Sequence, residues 1–145
     1  MNILVLNGPN LNMLGLREQK HYGKVTLDEI ISLLKAKAND HGVKLSFFQS
    51  NHEGALVDYV QEHRSKIDGI LINPGALTHY GYSLRDALAD TKLPVVEVHL
   101  SDIENREDFR KIDVLDGIVI ERVMGKKEKS YLQGLERLIS HIKNL

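Results

Sequence analysis

The chain of 145 residues has no cysteine, which excludes disulfides, thiolate nucleophiles and cysteine-ligated zinc. It has no excess charge of either sign: the formal net charge is −1, so no broad field draws it to nucleic acid or an anionic membrane. No run of about 20 apolar residues is present to span a bilayer. A basic segment followed by an apolar stretch and a cleavage site is also missing, so no secretory signal is expected. There is no Gly-x-Gly-x-x-Gly after the first apolar run and no Walker lysine, which leaves nucleotide binding unsupported. A serine nucleophile lacks its elbow, and none of the histidines has the spacing of a zinc motif; Glu62-His63 has no partner ligands. A cytoplasmic protein without metal or cofactor is the expectation.

What is present is an alternation of short apolar runs and helical periods. Ile3–Leu6 reads as a buried strand, and a helix is expected from Thr26 to about His41, with Thr26 as N-cap, Glu29 three residues on and Gly42 as its stop. Val43–Phe48 reads as a second strand, Glu53–Lys66 as a helix and Gly69–Ile72 as a third strand. A helix over Tyr82–Ala89, a strand over Pro94–Val98, a strand over Gly117–Ile120 and a closing helix over Ser130–Ile142 complete the pattern. Glu104–Arg110 could make a short helix within an otherwise irregular stretch. Alternation with short links implies parallel strands and right-handed crossovers. The expected fold is α/β: a flavodoxin-like, doubly wound, five-stranded parallel sheet of order 2-1-3-4-5 with helices on both faces. No repeat or linker interrupts it, so residues 1–145 are expected to form one domain.

Three strands run into polar segments: Asn7-Gly8-Pro9-Asn10-Leu11-Asn12, Asn73-Pro74-Gly75-Ala76-Leu77-Thr78-His79 and His99-Leu100-Ser101-Asp102. Parallel strands align their carboxyl ends, so Asn12, Asn73, His79, His99 and Ser101 are expected to converge on one crevice. Arg17 and Tyr22 lie between Gly15 and Gly23 in what reads as a lid. Taken singly, each segment reads as a turn, a packed histidine or a solvated arginine; together, at aligned strand ends, they make a site. The chemistry left to them is proton transfer. A guanidinium favours the phenolate form of a nearby tyrosine. A phenolate could take a proton beside a carbonyl, amides could hold the enolate, and His99 could protonate a departing hydroxyl.

The segment Gly8-Pro9-Asn10-Leu11-Asn12-Met13-Leu14-Gly15-x-Arg17-Glu18-x-x-x-Tyr22-Gly23 resembles the signature of type II 3-dehydroquinate dehydratases. Further blocks agree in order and spacing: Phe47-Gln49-Ser50-Asn51-x-Glu53-Gly54, Ile72–His79 with Leu84–Leu88, and Glu97–Ser101 with Arg106-Glu107-x-Phe109-Arg110. The resemblance implies a hydro-lyase of the shikimate pathway that converts 3-dehydroquinate to 3-dehydroshikimate by anti elimination through an enolate, without metal or Schiff base. Carried onto matching positions, it makes Tyr22 the general base, Arg17 the lid cation that favours the phenolate, His99 the general acid and Asn12 the holder of a water that stabilises the enolate. Asn73, His79, Leu100, Ser101 and Arg110 would bind substrate. Asp86 would reach a neighbouring subunit's site in a trimer-based homo-oligomer, a dodecamer in this family.

The chain departs from the family pattern in places. Tyr80-Gly81-Tyr82 follows His79, with bulk expected near the pocket and Gly81 as a weaker helix cap than serine. Asp102 stands where an asparagine is usual, and its charge is expected to oppose an anionic substrate unless Arg106 or Arg110 neutralises it. Lys111-Ile112-Asp113-Val114 replaces a stretch containing His, Ser and Tyr, and Gly125–Lys129 replaces a short Gly-rich turn. These departures leave open a relative that binds a cyclic hydroxy acid without turning it over. A flavodoxin-like receiver or nucleotide module is a third reading, opposed by the missing phosphate loop.

Overall fold

The computed structural model describes residues 1–145. Five parallel strands, β1 (Asn2–Asn7), β2 (Lys44–Gln49), β3 (Gly69–Asn73), β4 (Val95–His99) and β5 (Glu121–Met124), lie in the order β2-β1-β3-β4-β5. They are joined by helices α1 (Gln19–Tyr22), α2 (Leu27–Asp40), α3 (Glu53–His63), α4 (Tyr82–Thr91) and α5 (Glu128–Lys143). The expected doubly wound sheet and its strand order are thus present.

The central strands are apolar without alternation because both sheet faces are covered. Ile3 and Val5 point to one side, where they meet Ile30, Leu34 and Ala38 of α2 and Leu135, Leu138 and Ile139 of α5. Leu4 and Leu6 point to the other and meet Leu56 and Val60 of α3 and Leu84 and Leu88 of α4. Each such side chain contributes roughly 1.5–3 kcal/mol when fully buried. Helix α5 approaches closest at Gly134, where an added Cβ would lie 2.4 Å from Val98 Cγ1.

Helix boundaries follow local chemistry. Thr26 Oγ1 accepts from the Glu29 N–H at 3.2 Å, and Gly42 takes a φ of +66° beyond the end of α2. Gly81 has no side chain to cap α4, and Glu53 Oε2 does so from α3 by accepting from the Leu84 N–H at 3.0 Å. Helix α3 stops at His63 and tightens into a 3₁₀ turn over Arg64–Lys66. The stretch Glu104–Arg110 is not one helix but parts of two 3₁₀ turns, Ile103–Asn105 and Asp108–Lys111.

The fifth strand lies four residues later than the sequence expectation. The N–H groups of Ile118 and Val119 bond back to Leu115 O at 3.1 and 3.4 Å, so Gly117–Ile120 folds as a turn, with only Ile120 N–H reaching Val95 O at 2.9 Å. Glu121–Met124 pairs with β4 instead. A strand at a sheet edge is covered less fully and needs no continuous apolar run.

Candidate active site

Asn7 and Asn73 are register partners at the last positions of β1 and β3, and His99 ends the adjoining β4. The three polar segments therefore leave one edge of the sheet, as the topology demands. The loops after β1 and β3 touch there: a Cβ on Gly8 would lie 2.3 Å from Pro74 O, so only glycine fits. Behind them the buried Tyr131 hydroxyl of α5 donates to Asn7 Oδ1 at 2.6 Å and accepts from Asn73 Nδ2 at 2.9 Å. Asn73 Oδ1 in turn accepts from the Gly75 N–H at 3.1 Å. Burial pushes the Tyr131 hydroxyl far above the ordinary phenol range, so it stays protonated and can donate.

In front of this scaffold is a cavity of about 100 Å³. Tyr22, Arg17, Asn73, His79, His99, Leu100, Ser101 and Arg110 all line it. Two expected residues do not. Asn12 is exposed and faces an adjoining cleft bounded by Thr26, Phe47 and Gln49. Asn10 lines the cavity in its place, with a left-handed φ of 70° and its N–H bonded to Asn51 Oδ1 at 2.9 Å. Asp86 is exposed on α4 and does not line the cavity of its own chain.

Tyr22 stands at the end of α1, between two guanidiniums. Arg17 stacks on its ring with Cζ 3.7 Å from the centroid. Arg106, which the sequence did not mark for this role, donates from Nη1 to the phenol oxygen at 2.8 Å and approaches Ser101 Oγ at 3.4 Å. A hydrogen bond from a charged donor is stronger than a neutral one and strongest to an anion.

His99 is 5 % exposed, and its Nε2 makes a very short contact with Glu97 Oε2. Glu97 has no solvent exposure at all, and its Oε1 has no partner. Desolvation and the neighbouring Asp113 carboxylate raise the Glu97 carboxyl to about 9, while desolvation lowers the His99 imidazole to about 4. The pair thus holds one proton at neutral pH that an exposed Glu and His would have lost between them. Thr78 Oγ1 lies 2.5 Å from Glu97 Oε2 and 3.0 Å from Asp113 Oδ1. Glu97, His99 and Asp113 stand close enough together to suggest a metal cluster, but Arg122 already supplies the positive charge at Asp113, 2.5 Å from Oδ2.

His79 donates from Nδ1 to Ile112 O at 2.6 Å, which leaves Nε2 as an acceptor. Burial lowers its proton affinity, with the Ile112 hydrogen bond opposing and the Arg110 charge adding to the effect. Arg110 Nε donates to Glu107 at 2.6 Å, and its terminal nitrogens have no partner within the chain. The backbone N–H groups of Leu100 and Ser101, both residues buried, likewise donate to nothing in the chain. Free buried donors of this kind are uncommon, and here they face a cavity rimmed with arginines.

Two departures carry less weight than their sequence suggested. The Asp102 carboxylate accepts from Glu104 N–H at 3.0 Å and Asn105 Nδ2 at 2.7 Å, capping its own turn outside the cavity lining. Tyr80 and Tyr82 are exposed and do not line the cavity either.

Comparisons with known proteins place the chain in a family. The model of the family described as Dehydroquinase class II matches residues 1–139. A 3-dehydroquinate dehydratase of Roseiflexus castenholzii is 52% identical over 139 residues, covering 96% of this chain and 88% of the relative. One of Trichodesmium erythraeum is 50% identical over 143 residues, with 99% and 95% covered. Among solved structures, the type II dehydroquinase of Butyrivibrio crossotus superposes with a TM-score of 0.93 at 40% identity, covering 96% of this chain and 97% of that one. The chain belongs to the class II dehydroquinase family.

Proposed function

We propose that the chain dehydrates 3-dehydroquinate to 3-dehydroshikimate by anti elimination, with Tyr22 as general base and His99 as general acid. The observation that carries this reading is that one cavity holds a tyrosine between two guanidiniums and a histidine sharing a proton with a buried carboxyl. The Tyr22 phenolate removes the proton beside the ring ketone, and the C–H electrons pass into an enolate. Asn10 takes the part expected of Asn12 and stabilises the enolate oxygen, because it lines the cavity and Asn12 does not. The enolate then reforms the ketone and expels the β-hydroxyl, which leaves as water with a proton from His99.

Binding follows from the free donors and acceptors. The substrate carboxylate suits the unpaired N–H groups of Leu100 and Ser101, and the ring hydroxyls suit His79 Nε2, Asn73 and the terminal nitrogens of Arg110. Such pre-positioned donors need no reorganisation as charge develops. The reaction belongs in the shikimate pathway and, with no helix long and apolar enough to cross a membrane, we place it in the cytoplasm. Asp86 can serve a site only in another copy of the chain, which fits a trimer-based homo-oligomer.

The test is an assay of purified protein, pretreated with a chelator and with borohydride, that follows the conjugated enone of the product. Turnover is expected to survive both treatments. In Tyr22→Phe and in His99→Ala it should fall by about 10²–10⁴-fold, the usual worth of a general acid or base. Near-normal turnover in either variant would remove that residue from its role. Heat protection by the substrate without turnover would favour the binding-only reading instead.

A further inference from the structure

Thr78 has one hydroxyl hydrogen and two carboxyl groups within reach, Glu97 Oε2 at 2.5 Å and Asp113 Oδ1 at 3.0 Å. An ionised carboxylate only accepts. If both were ionised, one of these buried contacts would be a repulsion between acceptors. One carboxyl must therefore carry a proton, and the surroundings decide which. Asp113 has a cation, Arg122 Nη1 at 2.5 Å from Oδ2, and a backbone donor, Leu115 N–H at 2.8 Å from Oδ1. Glu97 has no cation in contact, no exposure and an unpartnered Oε1. Asp113 is the ionised member and Glu97 the protonated one, with His99 in contact with the same Glu97 oxygen.

Resting on the elimination mechanism above, we propose that Asp113 and Arg122 are positioning residues that act through Thr78 and Glu97, in opposite senses, to set how tightly the Glu97–His99 pair holds the acid proton. Neither residue lines the cavity. Asp113 lies in the segment Lys111–Val114, where the chain departs from the family pattern, and Arg122 reaches it from β5. The Asp113 charge opposes loss of the proton, because ionising Glu97 would set two carboxylates around one hydroxyl. Arg122 keeps Asp113 ionised and moderates that effect. Its own charge is shared with Asp116 at 2.8 Å and Glu104 at 3.3 Å.

The other charged and titratable groups around the pair sit differently. His79 of the β3 loop is turned to Ile112 O. Arg106 is bonded to Tyr22 and Arg110 to Glu107, while Arg17 stacks on Tyr22 in the lid. Tyr131 of α5 is committed to Asn7 and Asn73. Asp113 is the one anion joined to the pair through a hydrogen-bonded bridge.

The experiment is the pH profile of kcat and KM for Asp113→Asn and Arg122→Gln, beside the histidine ¹⁵N NMR titration of His99 in the full chain. Asp113→Asn retains an oxygen for the Thr78 and Leu115 contacts but removes the charge. It should move the alkaline limb of kcat down by about one pH unit, the scale on which a close charge acts, with KM unchanged at the optimum. Arg122→Gln should move the limb up. A merely structural role would lower activity or stability without moving the two limbs in opposite directions. A limb that stays in place in folded Asp113→Asn, or that moves the same way in both variants, overturns the proposal. Should Asp113→Asn fail to fold, absence of the upward shift in Arg122→Gln overturns it alone. Loss of the elimination reading leaves the NMR titration standing: an unchanged His99 titration in Asp113→Asn sinks the proposal whatever the protein catalyses.

Discussion

Arg106 donates a hydrogen bond to the Tyr22 phenol oxygen at 2.8 Å, joining residues 84 positions apart. Arg17, which the lid sequence offers as the tyrosine's cation, lies over the ring face instead, 3.7 Å from its centroid. The two arginines are therefore placed differently: Arg17 covers the ring, and Arg106 meets the phenol oxygen. Arg106 Nε is buried without a partner, so this side chain is held for its contacts at Nη1 rather than for a saturated network.

Arg106→Gln should lower kcat by about 10–100-fold, the equivalent of a hydrogen bond to a charged group at about 1.5–3 kcal/mol. Thermal stability should barely change, because an unpartnered nitrogen disappears with the guanidinium. Steady-state kinetics and a melting curve on one preparation check both. An unchanged kcat would return the main charge effect to Arg17.

The proton held by the Glu97–His99 pair makes stability depend on pH. Between about 4.5 and 6.5 the folded pair is a protonated Glu97 and a neutral His99, while the unfolded chain has an ionised Glu and a protonated His. Proton counts match there, and the slope is near zero. Above about 6.5 the unfolded His is neutral as well, so the folded state binds one proton more until Glu97 ionises at about 9. Stability should therefore fall as pH rises from about 6.5 to 9, with a limiting slope of about 1.4 kcal/mol per unit. Urea unfolding across that range reads the slope, and Glu97→Gln should flatten it. An equal slope in the variant would show that the proton resides elsewhere.

Tyr131→Phe should cost about 1–3 kcal/mol, because Asn7 Oδ1 and Asn73 Nδ2 both lose a buried partner. Since Asn73 lines the cavity, KM should rise as well, while the pH limbs stay in place. Denaturant unfolding together with substrate titration separates the two effects; a rise in neither would make the hydroxyl bridge redundant.

What the sequence disclosed depended on the range of the interaction. The strand Ile3–Leu6 and its abrupt end at Asn7-Gly8-Pro9 were legible because burial on both faces leaves an uninterrupted apolar run. His79 and His99 were legible because parallel topology aligns strand ends, and Tyr22 because it lies with Arg17 between two glycines, Gly15 and Gly23. Gly117–Ile120 looked like a strand for the same local reason, yet its N–H groups found Leu115 O, and the strand forms at Glu121–Met124. Asn10 and Asn12 could not be told apart by spacing; the left-handed φ of 70° at Asn10 precedes a turn that sends Asn12 to the neighbouring cleft. Arg106, Asp113 and Arg122 were hidden because their partners lie on other elements.

The Tyr131 bridge also sets an order of assembly. During synthesis, β1, the lid and β4 leave the ribosome before α5, so Tyr22, Arg106 and His99 are all available while Asn7 and Asn73 still lack the hydroxyl between them. A nascent chain that ends before residue 131 has every proposed acid–base residue on a sheet whose carboxyl edge lacks the Tyr131 bridge. The carboxyl edge that carries the cavity is thus fastened by the last helix as much as it is shaped by the first loop.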